Sequence, residues 1–128
     1  YGAQLTAVPS STEIYEDENL SIDFKTSIET TNARVDTPKF DAPDFDEVNF
    51  YGRGESIQTM IINGQISVQR SQSNSVVLHP KKAGKFAIRN IHVAVNGKTV
   101  SAPDIEITVH SAGSKSQGRG GSQNYGYQ

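Results

Sequence analysis

Three histidines, two knots of carboxylates and many serines are the side chains here with types suited to chemistry. Acyl transfer needs a nucleophile beside a base that a third group orients. Ser is abundant, but no Gly-x-Ser-x-Gly elbow occurs. His79 precedes Pro80 where a strand should stop, His92 falls on the polar side of a ribbon, and His110 closes the last apolar run. No two of them have ligand spacing on one element, and with no Cys there is no thiolate to complete a zinc site. Gly52-Arg53-Gly54 lacks the third glycine and the following helix of a phosphate loop. Arg119-Gly120-Gly121 with Tyr125 and Tyr127 is a single triplet, too little for an RNA-binding tail. These patterns give no support to an enzyme, and no cofactor is expected.

The carboxylates are the remaining candidates. Glu16-Asp17-Glu18 is one cluster, and Asp41, Asp44, Asp46 and Glu47 form the other. Calcium takes several such oxygens, but neither cluster follows the EF-hand pattern, and acidic turns between strands are common. In FDAPDFDEVNFY, Pro43 and Phe45 should stiffen the chain around Asp44 and Asp46, followed by Glu47. The bland reading is a solvated loop whose aromatics cap a core.

The elements that must hold these groups read as strands. Asn63-Gly64 and Asn96-Gly97 are hairpin signals, because a type I′ turn needs two residues that accept positive φ. A two-residue loop at Asn96-Gly97 sets Val95 against Lys98, Val93 against Val100 and Ile91 against Ala102. A phase slip at Asn90 precedes this ribbon. Pro103 interrupts it, and Ile105, Ile107 and Val109 resume. The loop at Asn63-Gly64 sets Ile61 against Ile66, Thr59 against Val68 and Ile57 against Arg70. Leu20, Ile22 and Phe24, extended by Ile28, alternate with polar neighbours as a half-buried antiparallel strand does.

Leu5 and Ala7 suggest an edge strand ended by Pro9, and Glu13 to Asn19 an acidic turn. Thr30 to Asp36 suggests a strand with Val35 inward. Lys39 to Glu47 reads as a loop, then a strand at Val48 to Tyr51, with Gly52-Arg53-Gly54 as a breaker. Ser71 to Ser75 is wholly polar and should cross solvent at an edge or bulge. Ribbons with one apolar face need a second sheet to cover them, so the chain is expected to fold as an all-β, antiparallel sandwich of about eight strands.

The 128 residues allow one domain, placed at 1–110, and the Gly/Ser-rich segment 111–128 should be a disordered linker or tail. Tyr1 in place of Met leads us to expect a trimmed piece of a longer chain. No apolar run reaches the ~18–20 residues of a membrane span, so this piece should be soluble. Net charge is −2, but Glu13 to Glu55 carries twelve acids and four bases, whereas Ser56 to Pro103 carries six bases and no acid. Such blocks point first to pairing between strands, then to a docking face. Nucleic acid is not expected, since no recognition helix or aromatic RNA-reading motif accompanies the basic block.

Three pieces in order, IINGQIS, VVLHPKKAGKFAI and VAVNGKTVSAPDIEITV, resemble the BatD family of bacterial aerotolerance, or oxygen tolerance, proteins. AQLTAVPSSTEIYEDENLSIDF resembles that family's opening strand pair. FDAPDFDEVNFYGRGES is similar to its Phe-Pro-Asp-Phe-Asp-Val-Gly segment, with Ala-Pro-Asp-Phe in place of Phe-Pro-Asp-Phe. The resemblance implies an immunoglobulin-like domain of a membrane-anchored, extracytoplasmic protein. It also implies partners among membrane proteins with von Willebrand A domains, whose divalent ion a carboxylate such as Asp44 or Asp46 would complete, which makes Asp44, Asp46 and Glu47 the expected partner contact. The expected function is a non-catalytic protein–protein interaction module in an envelope complex. The alternative is a carbohydrate- or calcium-binding sandwich, for which Tyr15, Phe50 and Tyr51 would be the aromatic platform.

Overall fold

The computed structural model describes residues 2–30 and 32–113. The expected tail over 111–128 therefore lies almost wholly outside the described residues. Nine strands are present among them: β1 (Ala3–Pro9), β2 (Glu13–Tyr15), β3 (Leu20–Ile28), β4 (Lys39–Asp41), β5 (Phe45–Ile62), β6 (Gln65–Pro80), β7 (Gly84–Val95), β8 (Lys98–Ser101) and β9 (Ile105–His110). They form two sheets. The first has the order β1-β3-β6-β5, and the second β2-β9-β7-β4 with β8 also on β7. This is the immunoglobulin arrangement, with β1, β3, β6 and β5 as strands A, B, E and D and β4, β7 and β9 as C, F and G. The short β2 lies parallel to β9, an element that the acidic reading of Glu13 to Asn19 missed.

Both hairpins fall in the expected register. Val95 pairs with Lys98 and Val93 with Val100, while the Ala102 N–H donates to the Ile91 carbonyl at 2.9 Å. Beyond Pro103, β9 resumes on β7 in the same frame, Ile88 against Ile105. Asn63, Gly64, Asn96 and Gly97 all have positive φ, between 51° and 79°, as two type I′ turns require. Asn90 has φ 55°, which accounts for the phase slip read there.

The core is made by alternation from both sheets. Leu20, Ile22, Phe24 and Ile28 from β3 are buried with Val76 and Leu78 of β6, against Ile88, Ile91, Val93 and Val95 of β7 and Ile107 and Val109 of β9. An immunoglobulin sandwich often carries a disulfide and a tryptophan at its centre, and this chain has neither Cys nor Trp. Three phenylalanine rings take up part of that role. Phe24 stacks on Phe40 and Phe50, with centroids 5.7 and 6.1 Å away, and Phe40 and Phe50 lie 6.3 Å apart.

Thr26 is an anomaly in this interior. It is 1% exposed, and its hydroxyl has no hydrogen-bond partner. A buried hydroxyl left unpaired costs about 1–3 kcal/mol. Thr26→Val keeps the shape and the β-branch, so it is expected to stabilise the domain by about 1 kcal/mol, read as a rise in the urea midpoint.

Four local expectations fail, each for a tertiary reason. Lys39 to Glu47 is not all loop, because β4 pairs with β7 and β5 already begins at Phe45. Gly52-Arg53-Gly54 does not break the strand. It is absorbed as a bulge, with Gly54 at φ 125°, inside one strand of 18 residues. Ser71 to Ser75 is not at an edge, because β6 runs between β3 and β5, with Ser75 buried and its hydroxyl donating to Asp23 at 2.5 Å. Among the described residues of the stretch from Thr30 to Asp36, the pairing is an isolated bridge, Val35 to Val95.

Candidate functional site

The largest departure from expectation concerns the β5–β6 hairpin. Its register is as read, with Ile61 against Ile66, Thr59 against Val68 and Ile57 against Arg70. Yet no second sheet covers it. Pairing between β6 and β3 ends at Arg70 and Ile28, and Arg70 lies opposite Ile57, so from Gln58 to Gln69 the hairpin stands clear of the sandwich as a two-stranded arm rooted at Glu55 to Ile57. Ile57, Ile61 and Ile66 are 60%, 73% and 71% exposed, and Met60 and Ile62 are also open to solvent.

The bulge between Gly52 and Gly54 decides which side chains the arm shows. Phe50 faces the core opposite Val76. Without the extra residue, strict alternation would bring Ser56, Gln58 and Met60 onto that face. With it, Glu55, Ile57, Thr59 and Ile61 follow Phe50, opposite Gln72, Arg70, Val68 and Ile66. The apolar face of the arm is thus the inner face of the first sheet, carried past the end of its partner.

Arg70 holds the base of the arm. Its guanidinium donates to the Glu55 carboxylate at 3.1 and 2.5 Å and to the Ala33 carbonyl at 2.6 Å. Gln72 adds a bond from Nε2 to the Asp36 carbonyl at 3.3 Å. The connection between β3 and β4 is therefore tied to the point where the arm departs. From Ser56 to Gln69 the arm itself has no charged residue.

The acidic candidates sit at the other end of β5. Asp41 pairs across from Arg89, and Asp46 Oδ1 is 4.0 Å from Lys81 Nζ. A hollow of about 330 Å³ is lined by Asp41, Pro43, Asp44, Lys85, Phe86 and Arg89, among others. The acidic loop thus faces cations of the basic block across strands. Asp44 is half-buried, and its carbonyl accepts the Lys81 N–H at 3.0 Å. Asp46 and Glu47 are exposed. In the other cluster, Glu18 accepts the Tyr15 N–H at 2.8 Å and Glu16 the Ala112 N–H at 3.1 Å. Among the described residues, no three His, Asp or Glu side chains gather as a cage for a metal.

The histidines are dispersed. His79 Nδ1 meets Asn19 Oδ1 at 2.8 Å, His92 Nδ1 meets the Asn90 carbonyl at 2.7 Å, and His110 Nε2 meets Glu13 Oε1 at 2.9 Å. The aromatics named as a sugar platform are not coplanar neighbours on a surface. Phe50 is engaged in the core stack, and Tyr15 is half-buried beside His110, its ring 5.4 Å away. Tyr51 is exposed on β5. Sequence reasoning named none of the arm's exposed apolar residues as a site, since their alternation is the same as that of a buried strand.

No curated protein matches the chain. Among solved structures, it is similar to the cohesin module of a family 33 glycoside hydrolase from Clostridium perfringens ATCC13124, with a TM-score of 0.51 and 10% identity over 85% of this chain and 97% of that one. A non-cellulosomal cohesin from the hyperthermophilic archaeon Archaeoglobus fulgidus aligns with a TM-score of 0.45 and 11% identity, covering 91% of this chain and 99% of that one. At such identities the first of these is a likeness of fold alone. The family model described as "BatD DUF11 like domain" matches residues 7–109, a span that takes in both sheets and the arm. The chain therefore belongs to the BatD family.

Proposed function

We propose that this domain is a non-catalytic protein–protein interaction module of a membrane-anchored, extracytoplasmic BatD-type protein, acting in an envelope complex with von Willebrand A domain proteins. The observation that carries the reading is the arm. Exposed isoleucines on a rigidly anchored ribbon lose contact with water only when another protein covers them, and contiguous exposed apolar surface marks interaction sites. Asp46 is a secondary contact of the same reading. It is exposed, follows the buried Phe45 and lies on a paired strand 4.0 Å from Lys81 Nζ, so its place on the backbone is set.

The test is capture of a von Willebrand A domain membrane protein from the same host by the immobilised chain, with and without Mg²⁺. Substituting Ile57, Ile61 and Ile66 together with Ser should leave the sandwich folded, because these side chains lie outside its core. The expected result is at least about a 10-fold loss of affinity, consistent with removing a small apolar hot spot. Asp46→Asn is expected to abolish whatever part of the binding requires Mg²⁺. Equal capture by the triple variant and the native chain would refute the reading.

A further inference from the structure

We infer that the outer edge of the arm pairs with the same edge of a second copy of this chain, antiparallel about Thr59, joining two two-stranded arms into one four-stranded ribbon. The inference rests on the reading of the arm as the interaction element and names what lies along it.

The outer edge of the arm leaves backbone hydrogen bonds unmade. In a two-residue hairpin the pair that closes the turn exchanges both backbone bonds, and exchange alternates from there. Ile62 with Gln65, Met60 with Ser67 and Gln58 with Gln69 are then the bonded pairs. Ile61, Thr59 and Ile57 turn their N–H and C=O groups the other way, off the sheet. β5 ends the strand order of its sheet, so among the described residues no strand meets them. Natural edges are guarded by lysine, proline, charge or a bulge. The opposite edge of this sheet, β1, is short and ends in Pro9. β5 has bulges only up to Gly54, and beyond Glu55 it carries none of these guards.

A ribbon with two open edges is poorly suited to lipid, where unpaired backbone groups cost several kcal/mol each. The arm also has no cation or aromatic between Ser56 and Gln69 to hold a headgroup. Nor does the described end of the chain approach it. β9 runs toward the Gly84 end of β7, since Val109 pairs with Gly84, whereas the base of the arm lies at the Ile28 and Ala3 end. What the edge accepts is another strand.

The sequence of the edge then selects the strand. An isologous contact requires each residue to meet its own symmetry mate's counterpart. Ile57-Gln58-Thr59-Met60-Ile61 has that symmetry. Antiparallel pairing centred on Thr59 sets Ile57 against Ile61 of the copy, and Ile61 against Ile57, on the apolar face. Glu55 falls opposite Asn63 of the copy and Gly54 opposite Gly64, so the single acid meets a neutral turn. With no other charge on the arm, nothing repels the copy. The pairing would close about six backbone hydrogen bonds and double the width of the apolar face presented to a further partner.

The chain contains no Cys, so Thr59→Cys introduces one thiol. At the centre of the pairing its Cα lies about 5.5 Å from its mate, within the span a disulfide bridges. At about 100 μM, where a micromolar self-association is saturated, the native chain is expected to sediment as a dimer. Thr59→Cys should oxidise to a covalent dimer much faster than Gln65→Cys on the other edge of the arm. Thr59→Lys, which sets two ammonium groups face to face, should weaken dimerisation by at least about 10-fold, while Gln4→Lys on β1 leaves it intact.

A monomeric native chain, or a dimer that Thr59→Lys does not loosen, overturns the inference. If such a chain still loses von Willebrand A domain capture through the triple serine variant, the interaction reading stands and only the second copy is wrong. If capture too is unaffected, both fail.

Discussion

Phe24→Ala is expected to cost about 3–5 kcal/mol, the range for emptying a buried aromatic site. Phe24 is 1% exposed and packs against two other rings that also touch each other. Those rings come from different sheets, Phe40 from β4 and Phe50 from β5, so the stack fastens one layer to the other. Truncation would leave a void that backbone hydrogen bonds in both sheets prevent from closing. Single domains have about 5–15 kcal/mol in total, and no disulfide limits the unfolded chain here. The variant should therefore be largely unfolded at modest urea. Phe24→Leu, which keeps most of the volume, should cost about 1–2 kcal/mol. Equilibrium unfolding followed by circular dichroism separates the two. Equal midpoints for Phe24→Ala and the native chain would mean that the stack does not join the sheets.

The second large effect is local. Arg70→Ala is expected to destabilise the root of the arm by about 2 kcal/mol, the scale of hydrogen bonds to charged groups in partly buried positions. The side chain is 16% exposed and donates to both the Glu55 carboxylate and the Ala33 carbonyl. Removing it leaves the Ala33 carbonyl without that donor and leaves the β3–β4 connection tied to β6 through the Gln72 bond to the Asp36 carbonyl. Limited proteolysis should then cut between Glu55 and Arg70 several-fold faster, with the sandwich itself protected. Arg70→Lys should restore only part of the protection, because one ammonium cannot reproduce the planar fork that reaches two acceptors. Uniform cleavage throughout the chain would show instead that Arg70 supports the whole domain.

These predictions separate two kinds of apolar residue that look alike in the sequence. Ile57, Ile61 and Ile66 alternate with polar neighbours around an Asn-Gly turn, as Ile91, Val93 and Val95 do. Both ribbons have the register that their turns dictate. Only the second is buried, with Ile91, Val93 and Val95 each 1% exposed. Alternation states which side chains share a face, and it is silent on whether another layer lies over that face. The same limit explains Ser71 to Ser75. Its polarity suggests an edge, yet it is flanked on both sides, because Ser75 binds Asp23 and the neighbouring strands supply the backbone partners.

The candidate carboxylates show a related boundary. Asp44, Asp46 and Glu47 could be singled out by type and by the stiffness of Pro43 and Phe45. That Asp41 would lie across from Arg89 depends on β4 meeting β7, and that Asp46 would lie near Lys81 depends on the start of β5 meeting the end of β6.

By itself the sequence determined the strands around both Asn-Gly turns, their registers, the buried faces of β3 and β7, and the family. Those features depend on φ preferences and on a period of two, which neighbours along the chain control. Tertiary structure alone decided that β5 and β6 outrun the opposing sheet, that a glycine bulge turns Ile57 and Ile61 onto the uncovered face, and that Arg70 anchors the arm. Each of these depends on where a second layer ends, a quantity set by the lengths of strands far apart in sequence.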